Sequence, residues 1–327
     1  MKKILITGGS GFIGTNFIKL LYEEHRDLEI FNLDCLDFNI SKDNHAELDS
    51  ERYHHIIGST LDKDLLLKLF QEERFDEVIN FAAKSHVDNS IADPSIFSIN
   101  NILGTQYLLD MALKFETNLF LQISTDEVYG SLKLEDASTT EDSNFKPNNP
   151  YSASKAGADC LVRAYHQTYK LPCLITRSSN NFGPYQYPEK LIPVIISNAL
   201  NNEKIPIYGT GENIRDWIYV KENCRAVDLV RQKGRTGEVY NIPGHEEIRN
   251  IDITKTILKI LNKPESLIEF VTDRKGHDFR YSMDGTKLKE LGFKLESSFE
   301  ENLSKTIAWY LKPENAKWIK IKSLNTL

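Results

Sequence analysis

The stretch Lys3-Ile-Leu-Ile-Thr7, running directly into Gly8-Gly9-Ser10-Gly11-Phe12-Ile13-Gly14, decides the fold. Its first part is short and apolar and stops at glycine, which reads as a buried strand. An amphipathic pattern follows to about His25, so strand, glycine turn and helix come in that order. Glycines at this spacing allow a tight turn and let the backbone approach a pyrophosphate seated at the helix N-terminus. An ordinary glycine-rich turn is the competing reading. Against it stands the next strand, Leu28-Glu-Ile-Phe-Asn-Leu33, which ends in Asp34 about twenty residues on. A carboxylate there accepts hydrogen bonds from an adenosine ribose and repels a 2′-phosphate, so the expected cofactor is NAD and not NADP.

Further strands are expected at Tyr53–Ile57, Phe75–Ala83, Phe120–Ser124 and Pro172–Thr176, with helices at Asp62–Glu73, 94–114 and 151–169. The polar stretch Cys35–Arg52 is long enough for a loop near the adenosine. Alternation of strand and helix predicts an α/β fold with a doubly wound parallel sheet, a Rossmann domain. After residue 178 the pattern breaks into the turn-rich run Asn180–Pro188, then short helices with a strand near Ile268–Val271. This predicts a smaller, partly interleaved C-terminal substrate lobe. The expected division is 1–178 with 214–243 for the dinucleotide domain, and 179–213 with 244–327 for the lobe. The stripe Ile102, Leu103, Leu108, Leu109 and Ala112 is core by default.

The chemistry is expected at the end of the strand that closes on Ser124. Thr125, Asp126 and Glu127 sit on the rim where open parallel sheets place ligands. Two adjacent carboxyl groups act as acid and base when their surroundings separate their pKa values. Tyr151 and Lys155, at i and i+4, share one helix face. An ammonium beside a phenol favours the phenolate, which takes a proton from an alcohol. Each pair alone also occurs as a solvated turn or a chance helical spacing. Together they imply more than one chemical step.

Composition narrows the partners. The chain has 327 residues, 40% hydrophobic and 27% charged, with a net charge of −7 and no basic run. That balance argues against nucleic acid, and no apolar stretch suggests a membrane span or a signal peptide. The four cysteines, Cys35, Cys160, Cys173 and Cys224, show no metal-type spacing and suit reduced thiols in a cytoplasmic protein. No metal is expected.

The chain resembles the nucleotide-sugar 4,6-dehydratases of the extended short-chain dehydrogenase/reductase superfamily, closest to those acting on dTDP-glucose. The resemblance covers nearly the full length. It is carried by the G-x-x-G-x-x-G turn at 8–14, Ala83–Asp88, Ile123–Gly130, Pro150–Lys155 and Ser179–Tyr185. Pro188–Pro193, Ile214–Tyr219 and Asp273–Asp278 match as well. The Thr-Asp-Glu triplet is the specific part, since sugar epimerases of the superfamily share the Tyr-x-x-x-Lys pair but lack it.

By this resemblance, Tyr151 takes the proton of the sugar 4-hydroxyl, assisted by Lys155, while NAD accepts hydride from carbon 4. Thr125 holds the oxygen at carbon 4. Glu127 removes the carbon 5 proton, protonated Asp126 donates to the departing 6-hydroxyl, and hydride returns to carbon 6. The cofactor is regenerated each cycle and should stay tightly bound. Its expected contacts are Gly8, Gly11, Phe12, Ile13, Gly14, Asp34, Thr60, Leu61, Phe81, Ala82, Ala83, Asn100, Tyr151, Lys155 and Asn181. The nucleotide-diphosphate sugar would meet Ser85, Thr125, Asn180, Lys190, Leu191, Pro206, Ile207, Tyr208, Arg215, Asn250, Arg274 and His277. Trp217 is expected to pack. A homodimer through the 94–114 and 151–169 helices is also implied. Four positions depart from the family pattern: Thr60 for Asp, Cys35 for Lys, Lys84 for Glu and Asn100 for Thr. The competing functions are the same dehydration of UDP-glucose or UDP-N-acetylglucosamine, a nucleotide-sugar 4-epimerase, and an NAD-sensing module without catalysis.

Overall fold

The computed structural model describes residues 1–37, 42–273 and 276–318. The first half alternates as the apolar pattern requires: β1 Lys2–Thr7, α1 Phe12–Glu24, β2 Leu28–Asp34, β3 Tyr53–Ile57, α2 Lys63–Glu73 and β4 Glu77–Asn80. Next come two short helices, α3 Val87–Ala92 and α4 Pro94–Phe97, then α5 Gly104–Lys114, β5 Leu119–Thr125, α6 Pro150–Tyr169 and β6 Cys173–Ser178. The second half holds β7 Asn180–Phe182, α7 Leu191–Leu200, β8 Ile205–Tyr208, β9 Ile214–Tyr219, α8 Val220–Lys233, β10 Val239–Ile242 and β11 Glu247–Arg249. It closes with α9 Asn250–Ile260, β12 Ile268–Val271, α10 Thr286–Glu290 and α11 Phe299–Tyr310.

Seven strands form one parallel sheet in the order β10-β6-β5-β4-β1-β2-β3. Strand order reverses between β1 and β4, and the crevice at that switch point is where such sheets bind ligands. Both faces are covered, which the unbroken apolar strands anticipate. Ile4 and Ile6 of β1 face a core shared with Phe17 and Leu21 of α1 and Val227 of α8. Leu5 between them faces the opposite core, with Phe70 of α2, Leu108 of α5 and Val162 of α6. A third core lies beyond the sheet and joins Ile195, Ile207, Trp217, Ile257, Leu303 and Tyr310. Trp217 therefore packs, as expected.

Strand β9 stitches these cores together. It pairs with β7 and β11 in a small three-stranded sheet, while α8, which follows it directly, packs on α1. Alternation along β9 sends Trp217 to the third core and Ile218 to the first.

Three expectations change in detail. The 94–114 helix is not uniform, because Ser98–Leu103 adopts a π-helical turn between α4 and α5. That turn swings Asn101 inward, where its amide donates to the Lys84 carbonyl at 3.0 Å and to Ser154 Oγ at 2.8 Å. Strand β4 stops at Asn80, and Phe81–Ala83 continue as non-strand rim. Asn180–Phe182, read as turn, pairs as β7 with β9, because Phe182 buries its ring in the third core.

A buried ionic network anchors the opposite end of the sheet. Arg231 bridges Glu77 at 3.0 Å and Asp228 at 2.7 Å, and Lys2 also pairs with Glu77. Removing one partner strands the others in low dielectric. Arg231→Met should therefore lose roughly 3 kcal/mol. Urea unfolding should show a lower midpoint at an unchanged slope.

Candidate active site

One cavity of about 660 Å³ follows the carboxyl ends of β1, β2, β4 and β5. Its floor is the glycine turn. Gly8 has φ +69°, and a Cβ there would come within 2.7 Å of the Ala82 backbone. A Cβ on Gly14 would strike the Gly8 carbonyl and lie 2.7 Å from Gly9 Cα. Gly11 caps α1 without a side chain, so the first N–H groups of the helix keep their attraction for an anion. Asp34 accepts hydrogen bonds from the Ser10 and Leu36 N–H groups at 3.0 and 2.9 Å, tying the turn to β2. Its burial raises the carboxyl pKa, and those two hydrogen bonds oppose the rise. Phe12, Ile13, Thr60, Phe81, Ala82, Ala83 and Asn100 line the same cavity. This backbone cradle fits a dinucleotide.

Leu61 is not part of that lining and donates its N–H to Ser59 Oγ at 3.1 Å. Asn181 donates to the Ser179 carbonyl at 3.0 Å, while its Oδ1 and that of Asn180 are buried without a protein partner. Lys84 pairs with Asp37, another residue of the cavity wall, which sets its charge on the side of Asp34.

The expected acid-base group assembles where β5 meets α6. Thr125 ends the strand, and Asp126–Tyr129 forms a 3-10 turn whose first N–H groups face back onto it. Thr125 Oγ1 accepts from Glu127 N at 3.3 Å and donates to Asp126 Oδ1 at 3.1 Å. Asp126 is buried, and its Oδ2 has no protein partner. Burial, reinforced by the charges of Glu127 and Asp216, holds its carboxyl well above the usual range. Burial therefore favours its protonated form. Glu127 instead accepts hydrogen bonds from Ser152 Oγ at 3.0 Å and Asn149 Nδ2 at 3.4 Å.

Tyr151 and Lys155 lie one turn apart on α6 and both line the cavity. Lys155 Nζ donates to the Ile123 carbonyl at 2.6 Å, and burial pushes its pKa down to about 8. Burial and the Glu127 carboxylate push the Tyr151 phenol upward, with the Thr125 hydroxyl opposing. The expected lowering of the phenol by Lys155 is thus absent from this geometry. Desolvation penalises phenolate and ammonium alike, and the ammonium spends a hydrogen bond on a backbone carbonyl.

The expected substrate residues fall into two groups. Ser85 and Lys190 join the cavity wall, and Lys190 Nζ donates to the Ser85 carbonyl at 2.9 Å. Leu191, Pro206, Ile207, Tyr208, Arg215, Asn250 and His277 are not among the cavity-lining residues. Leu191 opens α7, and Asn250 opens α9 with its Oδ1 buried and unpartnered. Pro206 and Tyr208 are exposed on β8, but the side chain of Ile207 between them belongs to the third core and cannot reach a ligand. The Tyr208 and His277 rings meet edge-on at 6.1 Å, and His277 Nδ1 lies 2.6 Å from Asp273. Buried Arg215 donates to the carbonyls of Ile214, Asp278 and Phe279 and lies over the Tyr281 ring at 4.4 Å. Its charge reaches Asp126. Arg274 lies outside the described residues.

Several supporting residues escaped the sequence reading. Asn149 caps α6 by accepting from Ser152 N at 2.9 Å, so the cap that starts the helix also steadies Glu127. Asn149-Pro150 is a recognisable helix-start signal, and it was available in the sequence. Asn101 gave no such signal, because its role depends on the π-helical turn.

The family described as GDP-mannose 4,6 dehydratase matches residues 5–306. The low-salt glycan biosynthesis protein Agl12 of Haloferax volcanii is 49% identical over 309 residues, covering 94% of this chain and 98% of that protein. A dTDP-glucose 4,6-dehydratase of Xanthomonas campestris pv. campestris is 44% identical over 335 residues, covering 96% and 94% respectively. DesIV, a dTDP-glucose 4,6-dehydratase from Streptomyces venezuelae solved with NAD and dTDP bound, superposes with a TM-score of 0.92 at 42% identity. That match covers 97% of this chain and 99% of DesIV.

Lys155 carries a stability consequence. Its folded pKa of about 8 lies below the ordinary lysine value of 10.5, so below pH 8 the fold holds a charge it disfavours. That penalty fades as pH rises toward the unfolded value. Lys155→Met should be more stable than the parent by about 1–3 kcal/mol at pH 7, with the gap shrinking above pH 8. Chemical denaturation at both ends of that range measures it.

Proposed function

The chain belongs to the GDP-mannose 4,6 dehydratase family, and from that premise we propose that it converts dTDP-glucose to dTDP-4-keto-6-deoxyglucose and water. This makes it a lyase with NAD as resident cofactor. The observation that carries the reading is the splitting of two neighbouring carboxyl groups. Asp126 is held neutral by burial, while Glu127 rests on hydrogen-bond donors from Ser152 and Asn149. A 4-epimerase has no use for such a pair, and a sensor has no use for the pair together with Tyr151 and Lys155.

NAD would lie on Gly8, Gly11 and Gly14 with Asp34 toward its ribose, and when bound it supplies a reversible hydride acceptor and a positive nicotinamide charge. Tyr151 holds and removes the proton of the sugar 4-hydroxyl, a role in which the Lys155 ammonium must turn from the Ile123 carbonyl toward the phenolate. Thr125 positions the oxygen at carbon 4. Oxidation there acidifies carbon 5, and Glu127 takes that proton. Asp126, carrying its proton on the unpartnered Oδ2 side, delivers it to the departing 6-hydroxyl. Carbon 6 then receives the hydride and carbon 5 a proton from Glu127, and the proton held by Tyr151 restores Asp126 by way of water before the next cycle.

We assign dinucleotide binding to residues 1–178 with 214–243, and the nucleotide sugar to the lobe of 179–213 with 244–327. Tyr208 and His277 in the lobe offer ring surface to the base, and Arg215 on β9 offers a cationic group to the diphosphate. A second copy of the chain is assigned to the 94–114 and 151–169 helices, where Ile99 and Tyr169 are exposed. Sedimentation of the purified protein tests that pairing.

The substrate is tested by mass spectrometry across dTDP-glucose, UDP-glucose, UDP-N-acetylglucosamine and GDP-mannose. Loss of one water from dTDP-glucose at the highest kcat/KM is expected, and preference for another sugar overturns the assignment. Deuterium placed at carbon 4 should appear in the product's methyl group. Glu127→Gln should lower product formation by about 10²–10⁴-fold while single-turnover nicotinamide reduction persists. Tyr151→Phe should remove that reduction as well. Stopped-flow absorbance separates the two.

A further inference from the structure

The reaction is redox-neutral, so the hydrogen taken from the sugar must return to the same molecule. A cofactor that leaves in mid-cycle strands an oxidised sugar. Slow cofactor release is therefore a functional demand, and the fold must contain something that imposes it. The following inference rests on the reading that the cavity holds NAD.

The segment 183–190 forms the outer wall of the cavity, with Tyr185, Gln186, Tyr187, Glu189 and Lys190 all lining it. Its backbone does not adopt this course by preference. Tyr185 sits at φ +69°, a left-handed conformation that costs a side-chain-bearing residue about 1–2 kcal/mol. Contacts from elsewhere must hold it. Two of them come from α1, the helix that starts at the glycine turn: Asn16 Nδ2 donates to the Pro184 carbonyl at 3.0 Å, and Lys19 Nζ lies 5.2 Å from the Tyr185 ring.

Gln186 Nε2 donates to the Asn181 carbonyl at 2.9 Å, and further contacts come from the far end of the described chain. Tyr310, wholly buried in α11, donates its hydroxyl to the Gln186 carbonyl and lies 3.4 Å from that of Gly183. Trp309 and Trp318 place their rings 5.0 and 5.6 Å from Tyr185. Trp318 is itself part of the cavity wall, although more than 300 residues separate it from the glycine turn.

We propose that Tyr310, Trp309 and Trp318 are positioning residues that clamp the 183–190 segment over the glycine turn and so retain the cofactor between turnovers. They act through Tyr185 and Gln186, not on the sugar. Opening the wall requires breaking the buried Tyr310 hydrogen bond and separating the three rings, so the clamp sets a dissociation rate more than a binding geometry.

The test is release of NAD from the holoprotein. Protein loaded with labelled NAD is diluted into excess unlabelled NAD, and retained label is followed for the parent, Trp318→Ala and Tyr310→Phe. Release roughly tenfold faster in both variants is expected, since changes at a packed contact act chiefly on dissociation rates. Turnover that decays during a long assay should be restored by added NAD. Tyr310→Phe keeps the buried ring and removes only the donor, so its NAD-free form should melt only a few degrees below the parent. Release at the parent's rate by Tyr310→Phe overturns the clamp. So does a variant whose NAD-free and loaded forms lose the same melting temperature without faster release. A parent protein that takes up no labelled NAD would instead overturn the cofactor reading beneath it.

Discussion

Desolvation at the junction of β5 and α6 is the constraint on which the site depends. Asp126, Tyr151 and Lys155 are all buried there, and burial is the largest influence on each. It keeps the carboxyl protonated, draws the ammonium down to about 8 and resists the phenolate. A water-filled rim would level these differences, leaving two similar acids and no division of labour. Ser152 and the cap residue Asn149 donate to the neighbouring Glu127. One helix start therefore does two things: it satisfies the backbone of α6 and holds the Glu127 carboxyl group in place.

The parallel sheet supplies the location. Strand order reverses between β1 and β4, and the cavity follows the crevice that opens there. Thr125 ends the next strand over and Asp126 and Glu127 follow it, so they share one rim with the glycine turn. The lobe joins this rim through β9, whose alternate residues belong to different cores. Arg215, on the same strand, adds its charge to the surroundings of Asp126. Packing between the lobe and the sheet thus bears directly on the electrostatics of the site.

Much of this was legible along the chain. The strand-glycine-helix order at residues 3–25 specified a dinucleotide cradle, because the steric demands of Gly8 and Gly14 are local. The alternation of apolar strands and amphipathic helices implied the parallel sheet, since strands buried on both faces must be apolar throughout. The pairing of Tyr151 with Lys155 followed from helical periodicity. Where the reading failed, non-local contacts had overridden local preference. Asn180–Phe182 became a strand because Phe182 enters a core built from residues far away, and the 94–114 helix broke into a π-helical turn to aim Asn101 at the 84 rim.

The sequence by itself determined the fold class, the glycine turn and the shared helix face of Tyr151 and Lys155, all of which depend on spacing within one or two elements. Tertiary structure alone decided that the Asp126 carboxyl and the Tyr151 phenol are pushed up and the Lys155 ammonium down. It also decided that Ile207 faces a core and that Trp318 reaches the cavity wall. Those outcomes depend on how much water is excluded and on which distant residues exclude it. Neither is written in the spacing of any single stretch.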